Sequence, residues 1–457
     1  MQPFDLTTLV AVCADLQHHC VPAKLERVYQ RDRTHLYLSL RTVNQRLWLL
    51  ISWHPQAARI HLSPPPPPVP DTFTFSQQIW HQVSGMALTR IGQLDPWERV
   101  LDLEFAARPG IPTAWHLYVE LMGKYSNVVL VNQVGLIVTA AHQVSDRQSR
   151  VRPIQTGEPY MPPPPLMGAI PRQDEPLNQW RDRLRVLPQN LGTNLRQTYR
   201  GVSSSLAQEL LERARIPKER TSEGLGEPEW LALFAQWQGW LTCLCKGQFG
   251  FLAVGQGYSV LADPQQSVPL HEALHHYYDR RWQQQVFQQR QQQLQQVVQH
   301  QIKKLRLRSD DLTQRLTHAR GGEHYRQQAD LLMAHLSTWR VGMTEIHLPD
   351  FATGTPVAIA LEPTQNGVQN AQRLYRKSQK LKRAIAAITP LLEAAQSELG
   401  YLEQVQTALQ LLDADALESL GEIRQELSQQ GYMAADAPAI AARTKKSGAV
   451  PQLPSVF

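Results

Sequence analysis

The stretch RLYRKSQKLKR, residues 373 to 383, holds six basic residues among eleven and no acidic one. Arg373, Arg376, Lys377, Lys380 and Arg383 recur at three- and four-residue spacing, so on a helix they share one face. Like charges at that spacing destabilise a helix, and phosphate relieves the repulsion by releasing its own counterions as it is neutralised. Contact with a polyanion is the chemistry expected there; a solvated basic face is the alternative. A second stretch, DPWERVLDLEF at 95 to 105, sets Glu98 beside Arg99. Leu101, Leu103 and Phe105 then alternate with Asp102 and Glu104, the pattern of a half-buried strand. Neighbours on a strand point to opposite faces, so the acid and the arginine need not pair. A third stretch, ELMGKYSN, ends an expected helix at Gly123. Lys124, Ser126 and Asn127 then fill a turn able to present a cation and two hydrogen-bonding groups to phosphate or a base edge. Alternatively, Ser126 and Asn127 satisfy the turn backbone.

Arrangements for catalysis are poor by comparison. Among sixteen histidines, His271 and His275 stand one helical turn apart with Glu272 between them, but no further ligand is in view, which argues against zinc. GQFGFLAVGQG opens no helix and is not a dinucleotide loop. Neither a Walker sequence nor Gly-x-Ser-x-Gly occurs. The four cysteines lack zinc-ligand spacing and are too few for a disulfide framework.

Other parts of the chain must position these groups. With 457 residues, 42% hydrophobic and 19% charged, the chain is folded and too long for one core. Net charge is +6, which favours polyanion partners where it clusters. The opening MQPFDLTTLVAVCADLQ is broken by Asp5 and Asp15 and is not expected to be a signal peptide. No apolar run reaches the roughly 18 residues a bilayer requires. A cytoplasmic protein without membrane contact is the simplest expectation.

Residues 1–170 read as a β-rich domain opened by a helix at 5–19, with a hairpin turning near Gly135. Residues 171–276 read as a helical domain: two short helices flank a Gly-Val-Ser turn, Ser203 caps the second, and a Trp-rich helix and a strand pair follow. Residues 277–430 carry two seams, one through Val298, Ile302, Leu305, Leu312 and Leu316 with Ser309 in one place. The other runs through Leu392, Ala395, Leu399, Leu402 and Leu409. Such seams predict an antiparallel coiled-coil hairpin, with a small β insert at about 333–365. Residues 431–457 read as a linker. The fold class is α+β.

These segments resemble the NFACT family, also known as fibronectin-binding protein A-like. ELMGKYSNVVL resembles its Met-Gly-Lys-His-Ser-Asn signature, and TGEPYMPPPP resembles its Pro-Gly-x-x-Tyr-x-x-Pro-Pro closure. GVSSSLAQEL resembles its helix-hairpin segment, and NAQRLYRKSQKLKRA resembles the start of its second coiled-coil arm. The matches fall in family order. The resemblance implies a glycosylase-like β-rich domain, a helix-two-turn-helix-like domain and the coiled-coil hairpin. It implies a ribosome-associated quality control factor, binding the obstructed 50S ribosomal subunit with its stalled nascent peptidyl-tRNA. Such a factor recruits charged tRNA, alanyl-tRNA in bacteria, for template-free tailing of the stalled chain. Peptide bonds then form in the ribosome, so neither an enzyme nor a cofactor is expected.

Carried over by motif, Asp5 matches the family's early acidic residue, and Glu98 with Arg99 match its Asp-Arg pair. With Lys124, Ser126 and Asn127 they are the expected tRNA-binding residues. Arg373, Arg376, Lys377, Lys380 and Arg383 are the expected rRNA-binding ones. The chain departs from the family at Glu98 and at Tyr125, which stands for histidine. It departs again in FSQQIWHQVSG, which lacks Leu-Arg-Lys, and it ends at Phe457, before the Gly-Arg-Asn-Asn domain. The other readings are a glycosylase-like DNA-binding protein, for which Pro3 offers no free amine, and a surface fibronectin-binding adhesin.

Overall fold

The computed structural model describes residues 1–149, 151–413 and 416–434. The chain divides into two compact units, Met1–Trp282 and Gln283–Phe457. The first opens with α1 (Leu6–Cys20), whose Leu6, Leu9, Val12 and Leu16 are buried. Asp5 caps it, accepting the Thr8 amide at 2.9 Å and so satisfying one of the amides that a helix start leaves free. Four strands follow: β1 (Ala23–Asp32), β2 (His35–Arg41), β3 (Arg46–Ser52) and β4 (Arg59–Ser63). Beyond the proline run come α2 (Thr74–Val83), β5 (Ala87–Gln93), β6 (Val100–Ala106), β7 (Trp115–Glu120), β8 (Asn127–Asn132) and β9 (Ile137–Ala140). Together the strands make one sheet in the order β4-β3-β2-β1-β5-β6-β7-β8-β9.

Strand β6 differs from its expectation. Leu101, Leu103 and Phe105 are buried, but so is Asp102 on the opposite face, because that face is also covered. The Asp102 carboxylate lies 2.9 Å from His116 Nδ1. A second correction concerns the helix expected to end at Gly123. Residues 115–120 form β7, and a single tight turn, Gly123–Tyr125, follows. Leu117 and Val119 pair in register with Leu103 and Leu101, so sheet pairing overrides the local spacing.

The helices α3 (Leu177–Leu184), α4 (Leu191–Thr198), α5 (Ser204–Arg213) and α6 (Glu227–Lys246) share a second core around Trp180, Trp230, Trp237 and Trp240. Ser203 caps α5 as its position predicts, its Oγ accepting the Leu206 amide at 3.0 Å. The chain then turns back through β10 (Leu252–Val254), β11 (Gly257–Ser259) and the start of α7 (Leu270–Arg320). Phe251, Tyr258, Val260, Leu274 and Tyr278 enter the core under the large sheet. The boundaries expected at 170 and 276 therefore lie inside one unit. Apolar groups that follow the helical segment complete the core that precedes it.

His61 on β4 is wholly buried, with Arg59, His271 and His275 as its charged or titratable neighbours. Burial holds its pKa well below the ordinary histidine value. The unfolded chain thus accepts a proton that the fold excludes. Its stabilisation is complete above the unfolded pKa and declines as pH falls below it. Stability should therefore fall from pH 7 towards pH 5, by up to about 1.4 kcal/mol per pH unit from this residue. Urea denaturation at both pH values checks this: His61→Gln should flatten the profile, and an unchanged slope would count against it.

In the second unit, Val298, Ile302 and Leu305 share a core with Leu402, Val405 and Leu409 of α9 (Gly367–Leu411), whereas Leu312 and Leu316 share one with Leu392 and Ala395. The seams run in opposite chain directions, as the spacing predicts, and Ser309 is buried in the place it fills. Between the arms lie α8 (Gly322–Ala334) and a hairpin of β12 (Glu345–Pro349) and β13 (Pro356–Ala360). A further helix, α10 (Leu417–Gln429), was not expected. Its Leu420 and Leu427 join Phe287 and Leu294, supplying an apolar partner for the polar stretch at 283–301. Of the linker expected at 431–457, residues 435–457 lie outside the described residues. Among the described residues no helix is long and apolar enough to cross a membrane.

Candidate nucleic-acid interface

Asp5, Trp97, Arg99, Arg196, Arg200 and Ser203 line a cavity of about 250 Å³ in the first unit. The start of α1, the turn before β6 and the α4–α5 turn each supply part of its wall. At the α4–α5 turn, Gly201 has φ +75°, and a Cβ there would stand 2.3 Å from Leu6 Cδ2 and 3.2 Å from Trp97 Cε3. Glycine is what lets that turn close on α1. Ser203 Oγ then donates to Asp5 Oδ2 at 2.6 Å, and Trp240 Nε1 donates to Thr7 Oγ1 at 3.0 Å. Helical segment and sheet domain are thereby held together at the cavity.

The neighbouring Glu98 and Arg99 have separate tasks. Glu98 Oε1 accepts the Leu166 amide at 2.9 Å and orders the 166–168 segment, which forms another wall. Arg99 lines the cavity itself. Burial lowers its affinity for a proton, opposed by the nearby charges of Asp5 and Glu98; an arginine nonetheless stays charged at neutral pH. Arg196 donates to Gly192 O at 3.2 Å and to Ser204 Oγ at 3.1 Å, and Arg200 Nε donates to Gly168 O at 3.0 Å. Among the described residues, no carboxylate lies within 4.0 Å of these three guanidiniums. Asp5 is the acidic residue lining the cavity, and its Oδ1 already accepts from Thr8 while its Oδ2 accepts from Ser203. The cavity thus carries excess positive charge, beside a rim where Leu166 and Met167 are exposed.

The other expected tRNA contacts lie outside it. Ser126 is buried, its Oγ accepting the Met122 amide at 2.9 Å. Asn127 is buried too; its Oδ1 accepts the Val128 and His142 amides at 2.9 Å each, and its Nδ2 donates to His142 O at 2.8 Å. Ser126 closes its own turn and Asn127 ties the start of β8 to His142 beyond β9, so their hydrogen-bonding groups are taken up by backbone partners rather than presented to RNA. Lys124 remains exposed, its Nζ 4.9 Å from the ring centre of the exposed Tyr125.

In the second unit the basic face on α9 is divided. Arg373 is partnered after all: Nη2 donates to Ala360 O at 3.3 Å and Nη1 lies 3.7 Å from Glu362. The missing acid comes from the segment following β13, beyond the reach of local spacing. Lys377 Nζ stands 4.0 Å above the Tyr325 ring, a cation–π contact that leaves its charge in place. Arg376, Lys380 and Arg383 are exposed and, among the described residues, have no carboxylate within 4.0 Å.

Two clusters have metal-ligand types. Asp102, Glu104 and His116 offer atoms within 4.8 Å of one another. Their donors are engaged, however: Glu104 meets Arg90 at 2.5 Å and Thr113 at 2.8 Å, and Asp102 meets His116. His271 Nε2 lies 2.8 Å from Asp15, whereas His275 faces the His61 ring.

A family model described as NFACT N-terminal and middle domains matches residues 5–446. The chain belongs to this family. The NFACT chain is 28% identical over 446 residues to the Rqc2 homolog RqcH of Streptococcus suis, covering 94% of this chain and 75% of that one. It is 23% identical over 447 residues to the Rqc2 homolog RqcH of Bacillus subtilis, with the same coverage. Among solved structures, the N-terminal of the fibronectin/fibrinogen-binding protein from Streptococcus suis aligns with a TM-score of 0.47 at 23% identity, over 61% of this chain and 99% of that one. Within this NFACT chain, sequence reasoning passed over Trp97, Arg196 and Arg200. A usable signal existed: in NLRQTYRGVSS two arginines stand four residues apart, directly before the turn that meets α1.

Proposed function

We propose that this NFACT chain is a ribosome quality control factor. It binds the obstructed 50S subunit carrying a stalled peptidyl-tRNA and recruits charged tRNA, alanyl-tRNA in the bacterial pattern, for template-free tailing. Its part is to bind and position; bond formation belongs to the ribosome. The observation carrying this reading is the similarity to Rqc2 homolog RqcH proteins along 94% of the chain. A cavity with three guanidiniums lacking carboxylate partners, and a helix face of exposed cations, are consistent with RNA phosphate as partner.

Purification of the tagged chain from cells, followed by sequencing of bound RNA, tests it. Large-subunit rRNA and tRNA should both be enriched, and the absence of both would reject the reading. Replacing Arg376, Lys377 and Lys380 together with glutamine should weaken 50S association. It should also flatten the dependence of log affinity on log salt by roughly 0.7–0.9 for each phosphate no longer neutralised. Sedimentation with purified subunits at several salt concentrations measures both, and an unaltered slope would remove this face from the interface.

A further inference from the structure

The first turns of α7 are seated on the edge strand β4 by histidines whose hydrogen bonds fix their protonation. Residues 270–282 belong to the first unit, and the same helix runs on to Arg320. His61 on β4 is wholly buried, and its cross-strand neighbour on β3 is Leu50. Its Nδ1 lies 2.7 Å from Leu62 O, so that nitrogen carries the proton, and its Nε2 accepts from Arg59 Nε at 3.2 Å. The ring is therefore neutral. Arg59 is buried too, with Nη1 donating to Ala57 O at 2.8 Å and the guanidinium 5.0 Å from the centre of the Tyr278 ring. Among the described residues no carboxylate lies within 4.0 Å of His61 or Arg59. From α7, His275 meets the His61 ring at 5.7 Å, and Tyr278 runs nearly parallel to it with ring centres 6.5 Å apart. Asp279 of α7 and Asp32 of β1 act on Arg59 only at longer range. His271 differs: its Nδ1 accepts the Leu62 amide at 3.3 Å, and its Nε2 lies 2.8 Å from Asp15 of α1, which His18 and His19 also face. A carboxylate is thus at hand for His271 and not for His61.

We infer that the seat of α7 on β4 is a proton-gated latch, with His61 as its sensor. A proton on His61 Nε2 replaces the lone pair with an N–H aimed at the Arg59 N–H. Two adjacent cations then share a buried site, which is unfavourable until water reaches them. The cover that can lift is α7. Strand β4 is held to β3 by a full ladder, whereas the helix meets β4 through side chains, His271 on the Leu62 amide and Tyr278 beneath Arg59. Lifting also parts the Tyr278 hydroxyl from Gln2 O at 3.1 Å and from the Tyr258 hydroxyl at 3.0 Å, so the chain start and β11 are loosened with it. Burial holds the His61 pKa well below the ordinary histidine value. The latch is therefore fully closed above that ordinary value and opens progressively as pH falls below it. Such an opening is local: it frees the root of the first coiled-coil arm while the sheet stays folded. It is independent of any contact with RNA.

Hydrogen exchange of the full chain, read by mass spectrometry at pH 7.5 and pH 5.5, tests the latch. Labelling times are scaled to the intrinsic exchange rate at each pH. Protection of the amides in 270–282 should fall by about tenfold at pH 5.5, roughly one unit below the ordinary histidine value. In low urea these amides should show a shallower urea dependence than those of 36–40 in β2, because a local opening exposes less surface than unfolding. His61→Gln keeps a neutral donor and acceptor and should abolish the fall. Arg59→Met removes the opposing cation and should cut the fall to less than about threefold. His275→Gln, on the ring beside the sensor, should leave it near tenfold. Equal protection of the unaltered chain at both pH values overturns the latch. A urea dependence in 270–282 as steep as in 36–40 means global unfolding and overturns it as well. So does a full tenfold fall in Arg59→Met, a comparison that does not depend on His61→Gln folding. A fall that vanishes in His275→Gln and persists in His61→Gln overturns His61 as the sensor.

Discussion

Arg99→Ala should lower tRNA affinity by about tenfold or more while leaving 50S association and thermal stability nearly unchanged. The guanidinium lines the cavity without a carboxylate within 4.0 Å, so its removal breaks no ion pair among the described residues. What disappears is a partly desolvated positive charge, and charge-assisted hydrogen bonds are about twice as strong as neutral ones. Glu98→Ala should behave differently. It leaves the Leu166 amide to water and frees the 166–168 wall, a loss of about 0.5–1.5 kcal/mol for an exposed bond. Its effect on tRNA should therefore come with a lower melting temperature, and Glu98→Gln, which keeps an acceptor oxygen, should restore much of both. Filter binding with thermal denaturation separates the two residues. Normal tRNA affinity in Arg99→Ala would exclude it from the RNA contact.

The largest loss of stability is expected from Glu120→Ala. Glu120, at the end of β7, is 0% exposed. Arg152 donates to both of its oxygens and the Tyr160 hydroxyl donates at 2.9 Å. Arg152 also donates to Met161 O at 2.6 Å and lies 5.4 Å above the Tyr160 ring, which stacks on Tyr118 at 4.1 Å. One buried carboxylate thus fastens the 152–161 segment to the sheet. Removing it strands a largely covered guanidinium, its side chain 12% exposed, for which up to about 3–5 kcal/mol is the usual cost. Replacing both partners, as in Glu120→Leu with Arg152→Met, should cost clearly less, since no charge is left alone. Urea denaturation of the three proteins measures this; a loss below about 1 kcal/mol in Glu120→Ala would mean that water reaches the arginine.

The features legible from sequence were those whose cause is local. α1 followed from its apolar stripe, the α5 cap from Ser203 and its chain neighbours, and the apolar seams of α7 and α9 from their three- and four-residue spacing. Misreadings arose where a distant segment decided the outcome. The run through Leu117 and Val119 is a strand because β6 and β8 lie on either side of it. Helix α10 has no conspicuous pattern of its own, and its buried leucines acquire meaning only beside Phe287 and Leu294. The candidate site shows the same division. Motif resemblance pointed to Asp5, Glu98 and Arg99, but not to Glu98 holding a wall or to Arg196 and Arg200 sharing the cavity, because those relations cross from the sheet to the helical segment. Ser126 and Asn127 show the opposite hazard: groups suited to a ligand were already consumed, by the turn itself and by the backbone of His142.

The bond between Asp5 and Ser203 joins residues 198 positions apart. During synthesis the acidic wall of the cavity is therefore made among the first residues, and its arginine wall only after nearly half the chain has been translated. The Trp240–Thr7 contact that helps hold the two together comes later still. A nascent chain of this protein can fold its opening strands early, as N-terminal parts commonly do, yet it carries no assembled cavity until the helical segment has emerged. A factor whose proposed place is on ribosomal subunits would thus be unable to seize RNA through this site until its helical segment has left the ribosome.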